Sequence, residues 1–144
     1  MIINIIPFLS SHVDQISMQD YDLEELSNTT ESHWKNVEAL KWQRSIVIDG
    51  KVEACYGVVE YWKGRGEYWA LIDRNSGSKL VPMVRAMMSL LNEIDCKRIE
   101  VTVIYKFKQA HRLAILSGFE LEAPLMKKYG VTGLDYSLYA RIQP

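Results

Sequence analysis

The apolar pattern of this chain changes its period abruptly near the middle. Residues 67–73 read Glu-Tyr-Trp-Ala-Leu-Ile-Asp, a short aromatic and aliphatic run that is typical of a strand. After a short loop, apolar residues recur at spacings of 4, 3, 4 and 3, which predicts an amphipathic helix over 79–94. These residues are Leu80, Val84, Met87, Leu91 and Ile94. A β-branched run then predicts a strand over 98–105, so strand, helix and strand follow one another. This order requires at least one pair of parallel strands joined by a crossover.

Weaker patterns on both sides complete the predicted order. It is strand, two short helices, three strands, helix, strand, helix and two strands, which describes a mixed α/β sheet with about four helices. We expect a single domain over residues 1–144. The other predicted strands are 2–6, 43–49, 52–61, 119–126 and 134–142, and the other helices are 10–18, 22–26 and 108–116. Asp22 is the predicted N-cap of the second helix, and Gly118 is the predicted end of the last one.

Composition limits the possible functions. Lys and Arg number 17 and Asp and Glu number 18, so the net charge is −1 and binding of nucleic acid through bulk positive charge is excluded. No apolar stretch approaches the roughly 20 residues of a membrane span, so we expect no membrane partner. The two cysteines form no C-x-x-C pair and suit reduced thiols in a cytoplasmic protein. The three histidines show no metal-ligand spacing, and we predict no metal site.

The loop Asp73–Lys79 carries the clearest chemical signal. It joins a predicted strand to a predicted helix and is rich in Gly, Ser and Asn, which tolerate unusual backbone angles. The first amides of a helix lack internal partners, so such a junction can bind an anion, and Arg74 and Lys79 would add positive charge. The alternative is a simple helix cap by Asn75, Ser76 or Ser78. The loop has neither the P-loop spacing nor a Rossmann fingerprint.

Two motifs and the order of elements resemble the GNAT superfamily of acyl-CoA-dependent N-acetyltransferases. The first is Arg74-x-x-Gly77-x-Lys79, which matches two of the three anchors of the family's Gln/Arg-x-x-Gly-x-Gly/Ala loop. The second is the stretch 107–119, whose family form is Asn-x-x-Ala-x-x-Leu-Tyr-x-x-x-Gly-Phe. It matches at Ala110, Leu113, Gly118 and Phe119. The sequence of this stretch is also similar to that of small acetyltransferase-like proteins encoded by tailed phages.

The resemblance implies acetyl-CoA as co-substrate. The end of the strand, 71–73, would hold the pantetheine arm and the acetyl carbonyl, and the loop would hold the diphosphate. A basic cluster that includes Arg112 would contact the 3′-phosphate of CoA or an acidic partner, or would be a plain solvated face. The implied cofactor-binding residues are Leu71, Ile72, Asp73, Arg74, Asn75, Ser76, Gly77, Ser78, Lys79, Phe107 and Arg112.

The catalytic residues are harder to assign by resemblance. The family's tyrosine, its usual thiolate acid, falls on Ala114, and its asparagine falls on Phe107. Tyr105 and His111 are the candidate substitutes for acid–base work. Each also has a structural interpretation, as a packed aromatic residue and as a surface histidine. For the general base, we consider the Glu67 carboxylate first. Glu60 is a second candidate, and both could equally be solvated charges.

Two functions follow from these observations. The first is transfer of an acetyl group from acetyl-CoA to a primary amine of an unidentified acceptor, which could be a protein. The second is a catalytically degenerate, phage-encoded relative that acts by binding a host or virion protein, in the host cytoplasm. Tyr61, Trp62, Tyr68 and Trp69 crowd one hairpin. They are expected in the core, with one or two lining a substrate cleft or a homodimer contact.

Overall fold

The computed structural model describes residues 1–144 as a seven-stranded mixed sheet with four α-helices, which confirms the predicted fold class. The strands are β1 (Ile3–Pro7), β2 (Gln43–Ile48), β3 (Lys51–Trp62), β4 (Arg65–Ile72), β5 (Arg98–Ile104), β6 (Glu120–Met126) and β7 (Tyr136–Ile142). The α-helices are α1 (Asp20–Glu25), α2 (Glu31–Glu38), α3 (Leu80–Glu93) and α4 (Lys108–Leu116). Two 3₁₀ turns span Ser10–Gln15 and Gly77–Lys79. None of the helices has the length and apolarity that a membrane crossing requires.

The strand order in the sheet is β1-β2-β3-β4-β5-β7-β6. The pair β4 and β5 is parallel, as the strand, helix and strand order predicts, whereas β1 with β2, β2 with β3, β5 with β7, and β6 with β7 are antiparallel. The parallel ladder joins only three residue pairs, from Arg65 opposite Arg98 to Glu67 opposite Glu100. This short ladder lies at the start of both strands.

The chain divides into two compact units, each built from two separate stretches. Unit 1 comprises residues 1–59 and 69–94. Its core includes Phe8, Val13, Ile16, Val37, Val52, Cys55 and Leu71, with Trp34 and Trp69 packed against them. The predicted apolar face of α3 is buried at Val84, Met87 and Leu91, which confirms the helical period.

Unit 2 comprises residues 60–68 and 95–144. Tyr68 stacks on Phe119 with ring centroids 5.5 Å apart. α4 has the bounds that the sequence predicts, and Gly118 follows it with φ +87°, the left-handed conformation that favours glycine after a helix. Glu100 accepts hydrogen bonds from both Arg65 and Arg98, at 2.6 Å each, on neighbouring strands.

One local prediction was wrong. α1 begins at Asp20 with Gln19 as its N-cap, so Asp22 lies in the first turn and is not the cap. Burial of Asp22, together with the nearby charge of Glu25, raises its pKa to about 7. In β3, every residue of 52–58 is buried. β3 is an interior strand of the sheet with both faces covered, and such strands do not alternate.

Candidate functional site

The loop after β4 is built on a buried carboxylate at its first residue. Asp73 is 1% exposed and accepts hydrogen bonds from the backbone N–H groups of Ser17 and Asn75, both at 3.0 Å. Lys51 Nζ lies 3.2 Å from the same carboxylate. Burial raises the pKa of Asp73, but these donors outweigh burial, and the pKa lies below its ordinary value. Asp73 is therefore an ionised anchor at the start of the loop.

A second buried carboxylate holds the other end of the loop. Glu53 of β3 is 3% exposed, accepts a hydrogen bond from the Ser76 hydroxyl, and lies 2.8 Å from Lys79 Nζ. Burial raises the pKa of Glu53, whereas the Lys79 and Ser76 hydrogen bonds and Lys51 lower it below its ordinary value. Glu53 was not among the predicted site residues. Its signal in the sequence is an acidic residue inside an apolar strand.

Most amides of the loop are already engaged. The N–H of Arg74 donates to Ser17 O at 2.9 Å, that of Ser76 to Asp73 O at 3.0 Å, and that of Lys79 to Ser76 O at 2.9 Å. With Asn75 bound to the Asp73 carboxylate and the N–H of Asp73 donating to Glu53 O at 2.9 Å, every amide of 73–79 except those of Gly77 and Ser78 has a partner inside the protein.

Two amides are left over. No hydrogen bond within the protein uses the N–H of Gly77 or of Ser78, and both residues are exposed. The predicted alternative, a side-chain cap, is not seen either, because neither the turn at Gly77 nor α3 has a side-chain capping bond. The predicted anion-binding site is thus reduced to two adjacent N–H groups in the turn that leads into α3.

The two cations of the loop differ in their availability. Lys79 is paired with the buried Glu53, whereas Arg74 is half-exposed and lies 3.6 Å from Asp20, which is itself exposed. Surface pairs of this kind contribute little and exchange readily. Arg74 is therefore the cation that can turn towards a bound anion.

The space beside the Gly77 Cα is open. A Cβ built on Gly77 would meet no atom within 4 Å, and its φ is outside the left-handed region. Two adjacent N–H groups at a helix entrance, with a half-exposed arginine in the same loop, suit the oxygens of a phosphate group. The residues present therefore fit one end of a diphosphate.

The candidate acid–base residues Tyr105 and His111 meet in unit 2. The carbonyl of Tyr105 can only accept, so His111 Nε2–H donates to it at 2.8 Å. His111 Nδ1 lies 2.6 Å from the hydroxyl of Tyr139, which donates to it when the ring is neutral. The Tyr105 ring is 47% exposed, while Tyr139 is buried and its pKa is raised by burial. Tyr139 was missed because β7 lies far along the chain.

The carboxylate candidates Glu67 and Glu60 are both hydrogen-bonded. Tyr61 Oη donates to Glu67 Oε2 at 2.5 Å, and Glu60 Oε2 accepts from the backbone N–H of Gly64 at 3.2 Å. Burial raises the pKa of Tyr61, and the Glu67 carboxylate raises it further. Arg65 lies over the rings of both Tyr61 and Trp62. Glu67 therefore faces a hydroxyl that keeps its proton.

The remaining predicted residues have structural positions of their own. Leu71 is part of the unit 1 core, and Ile72 is partly buried at the end of β4. Phe107 is the buried N-cap of α4, and Arg112 is exposed on that helix. Ala114, which takes the place of the family's tyrosine, is 2% exposed.

Among known proteins, the matches to this chain are solved structures. No protein-family profile matches the chain. No curated protein matches it either.

Solved structures do match over nearly the whole chain. Ard1 from Thermoplasma volcanium is 16% identical with a TM-score of 0.77, covering 99% of this chain and 98% of that one. YncA from Salmonella typhimurium, solved with its cofactor acetyl-CoA, is 12% identical with a TM-score of 0.74, covering 99% and 94%. An acetyltransferase of the GNAT family from Bacillus anthracis is 14% identical with a TM-score of 0.69, covering 97% and 94%. At these identities the likeness establishes the fold: this chain has the fold of the GNAT acetyltransferases.

Proposed function

We propose that this chain is an acetyl-CoA-dependent N-acetyltransferase that acetylates a primary amine. The observation that carries the proposal is the pair of unpartnered, exposed N–H groups at Gly77 and Ser78, at the entrance of α3. They lie in the loop where the resemblance to the family places the diphosphate. The acetyl-CoA bound to YncA, a protein of the same fold, supports the same cofactor here.

In this proposal the loop binds the diphosphate through its backbone. The N–H groups of Gly77 and Ser78 donate to phosphate oxygens, and Arg74 leaves Asp20 to add a charged contact. The strand end 71–73 would hold the pantetheine arm, as the resemblance implies. Phe107 and Arg112 of unit 2 are also proposed to contact acetyl-CoA, because the resemblance to the family implies it.

The reaction needs one bond formed, one broken and one proton moved. The amine nitrogen attacks the thioester carbonyl carbon, the new C–N bond replaces the C–S bond, and sulfur leaves as a thiolate. The amine loses a proton and the thiolate gains one. Acetyl-CoA supplies the activated acetyl group.

We assign the proton steps to residues of unit 2. Glu67 is the proposed base that accepts the amine proton, because it is a carboxylate to which Tyr61 donates a hydrogen bond. Tyr105 is the proposed acid, since its ring is half exposed. His111 stays a third candidate, and it must release Tyr139 or the Tyr105 carbonyl before it can exchange a proton.

A second function is favoured by a different observation. Ala114 replaces the family's tyrosine, and most of the loop amides have partners inside the protein. Both features suit a relative that has lost catalysis and binds a host or virion protein instead. A phage origin stays part of this second proposal, a host protein as the amine acceptor stays part of the first, and a homodimer is proposed for either.

The test is titration of the protein with acetyl-CoA by calorimetry, followed by release of free CoA thiol in the presence of small primary amines. We expect Arg74→Ala to raise KM for acetyl-CoA with little change in kcat, and Glu67→Gln to lower kcat. The matched control is Arg85→Ala, which removes an exposed arginine from α3. If the protein does not bind acetyl-CoA at millimolar concentration, the enzymatic function is refuted and the protein-binding function remains.

A further inference from the structure

We propose that Glu53 and Asp73 are positioning residues that hold the loop 73–79 in the shape that presents its two free amides. We call this arrangement the brace: the Glu53 carboxylate binds Ser76 and Lys79, and the Asp73 carboxylate binds the start of the loop. Lys79 is then the cation that pairs with Glu53, and it is not a ligand of the diphosphate. The inference rests on the proposed function, because it explains how this loop is prepared for acetyl-CoA.

The brace acts on both sides of the free amides. Gly77 and Ser78 stand between Ser76 and Lys79 in the chain, and these two flanking side chains bind the same carboxylate, that of Glu53. A two-residue segment whose neighbours are held by one buried group has little freedom to turn its N–H groups away. Neither free residue needs a side-chain contact of its own.

Asp73 holds the entrance of the loop in the same manner. Its two oxygens accept from Asn75 N–H and from Ser17 N–H, so the carboxylate joins the loop to the segment before α1. The N–H of Arg74 donates to Ser17 O as well, which makes a two-bond connection between these segments. The loop is therefore attached to β3 at both ends and to residue 17 at its start.

Charge explains why Lys79 stays with Glu53. Glu53 and Asp73 are both almost fully buried, and Lys79 and Lys51 are the cations that balance them. If Lys79 moved to a phosphate, the Glu53 carboxylate would be buried without its pair, a costly arrangement that proteins avoid. Arg74, whose partner Asp20 is exposed, loses nothing comparable when it moves.

The experiment measures loop order and cofactor affinity in the full chain. We would record backbone amide relaxation of Gly77 and Ser78 by NMR, with acetyl-CoA affinity by calorimetry, for Glu53→Gln, Lys79→Met and Lys79→Arg. The controls are Glu24→Gln and Lys63→Met, which remove the same charges from exposed positions. We expect the first two variants to lose amide order and at least tenfold in affinity. Lys79→Arg should restore both, because it keeps the cation.

Turnover separates positioning from catalysis. For Lys79→Met we expect a KM for acetyl-CoA raised at least tenfold with kcat close to that of Lys63→Met, since a brace affects binding and not the acetyl transfer step. If Lys79→Met loses affinity while the amides keep their order, Lys79 contacts the ligand directly and the inference is overturned. If affinity and order both match the control, no brace exists.

Two further outcomes are decisive as well. If the wild type fails to bind acetyl-CoA, the proposed function fails, whereas the relaxation data still decide whether Glu53 orders the loop. If Glu53→Gln does not fold, Ser76→Ala removes only one hydroxyl from the same carboxylate. Unchanged amide order in both Ser76→Ala and Lys79→Met would then refute the brace.

Discussion

Replacing Gly77 by aspartate should abolish acetyl-CoA binding without altering the stability of the free protein. The new Cβ meets no atom within 4 Å, and the backbone there is not left-handed, so the fold gains no strain. The added carboxylate stands beside the two free amides, where it repels a diphosphate and can itself accept their hydrogen bonds. Surface substitutions of this kind change the free energy of unfolding by about 0.5 kcal/mol or less.

The size of the effect can be worked out for a thermal shift. Acetyl-CoA at about 100 times its Kd raises the free energy of unfolding of the wild type by about 2.7 kcal/mol. With 144 residues and about 2.1 cal/mol/K per residue, the unfolding entropy is about 0.3 kcal/mol/K. The expected rise in Tm is therefore about 9 °C for the wild type and close to zero for Gly77→Asp.

The assay is differential scanning fluorimetry with and without acetyl-CoA, beside the control Asn4→Asp. That control adds the same charge at an exposed position of β1 and should shift like the wild type. The Tm of both variants without ligand should lie within about 2 °C of the wild type. A full ligand shift in Gly77→Asp would show that the diphosphate binds elsewhere.

Three further predictions concern stability and reactivity. Burial lowers the pKa of His12 from its ordinary value of 6.5, so the folded state binds this proton less readily than the unfolded chain. Urea titrations should therefore show stability falling as pH drops below about 6.5, and His12→Gln should flatten that slope. Gly57→Ala should cost about 1–3 kcal/mol by urea unfolding, because its Cβ would lie 1.9 Å from Oε1 of the buried Gln43; an unchanged midpoint would contradict the packing. Burial raises the pKa of the Cys55 thiol to about 11, so mass spectrometry should find it alkylated by iodoacetamide at pH 8 only after denaturation.

Local signals were enough for the elements that flank the site. The bounds of α4 follow from the residues between Phe107 and Gly118 alone, since a helix stop requires only a glycine in the left-handed conformation. The start of α1 shows the limit of such signals. Asp20 and Asp22 both suit the first turn, and sequence spacing does not decide which residue lies outside the helix.

The loop between β4 and α3 was predicted in its place in the fold, but its contacts were not predicted. The sequence located the loop, the glycine and the arginine, all of which are neighbours along the chain. It did not find Ser17 or Glu53, which bind the loop from 56 residues before Asp73 and 23 residues before Ser76. Tyr139, 28 residues after His111, was missed for the same reason. No period or spacing encodes such pairs.

By itself, the sequence of this protein determined where the chain changes from strand to helix, because apolar periodicity is a property of adjacent residues. It thereby determined the mixed α/β class and the position of the loop between β4 and α3. Only the tertiary structure decided which amides of that loop are free, because a hydrogen bond from Ser17 or to Glu53 depends on how distant segments pack. Burial in the folded chain, which removes water from Glu53 and Asp73, also decided that Lys79 pairs with a buried carboxylate whereas Arg74 pairs with the exposed Asp20.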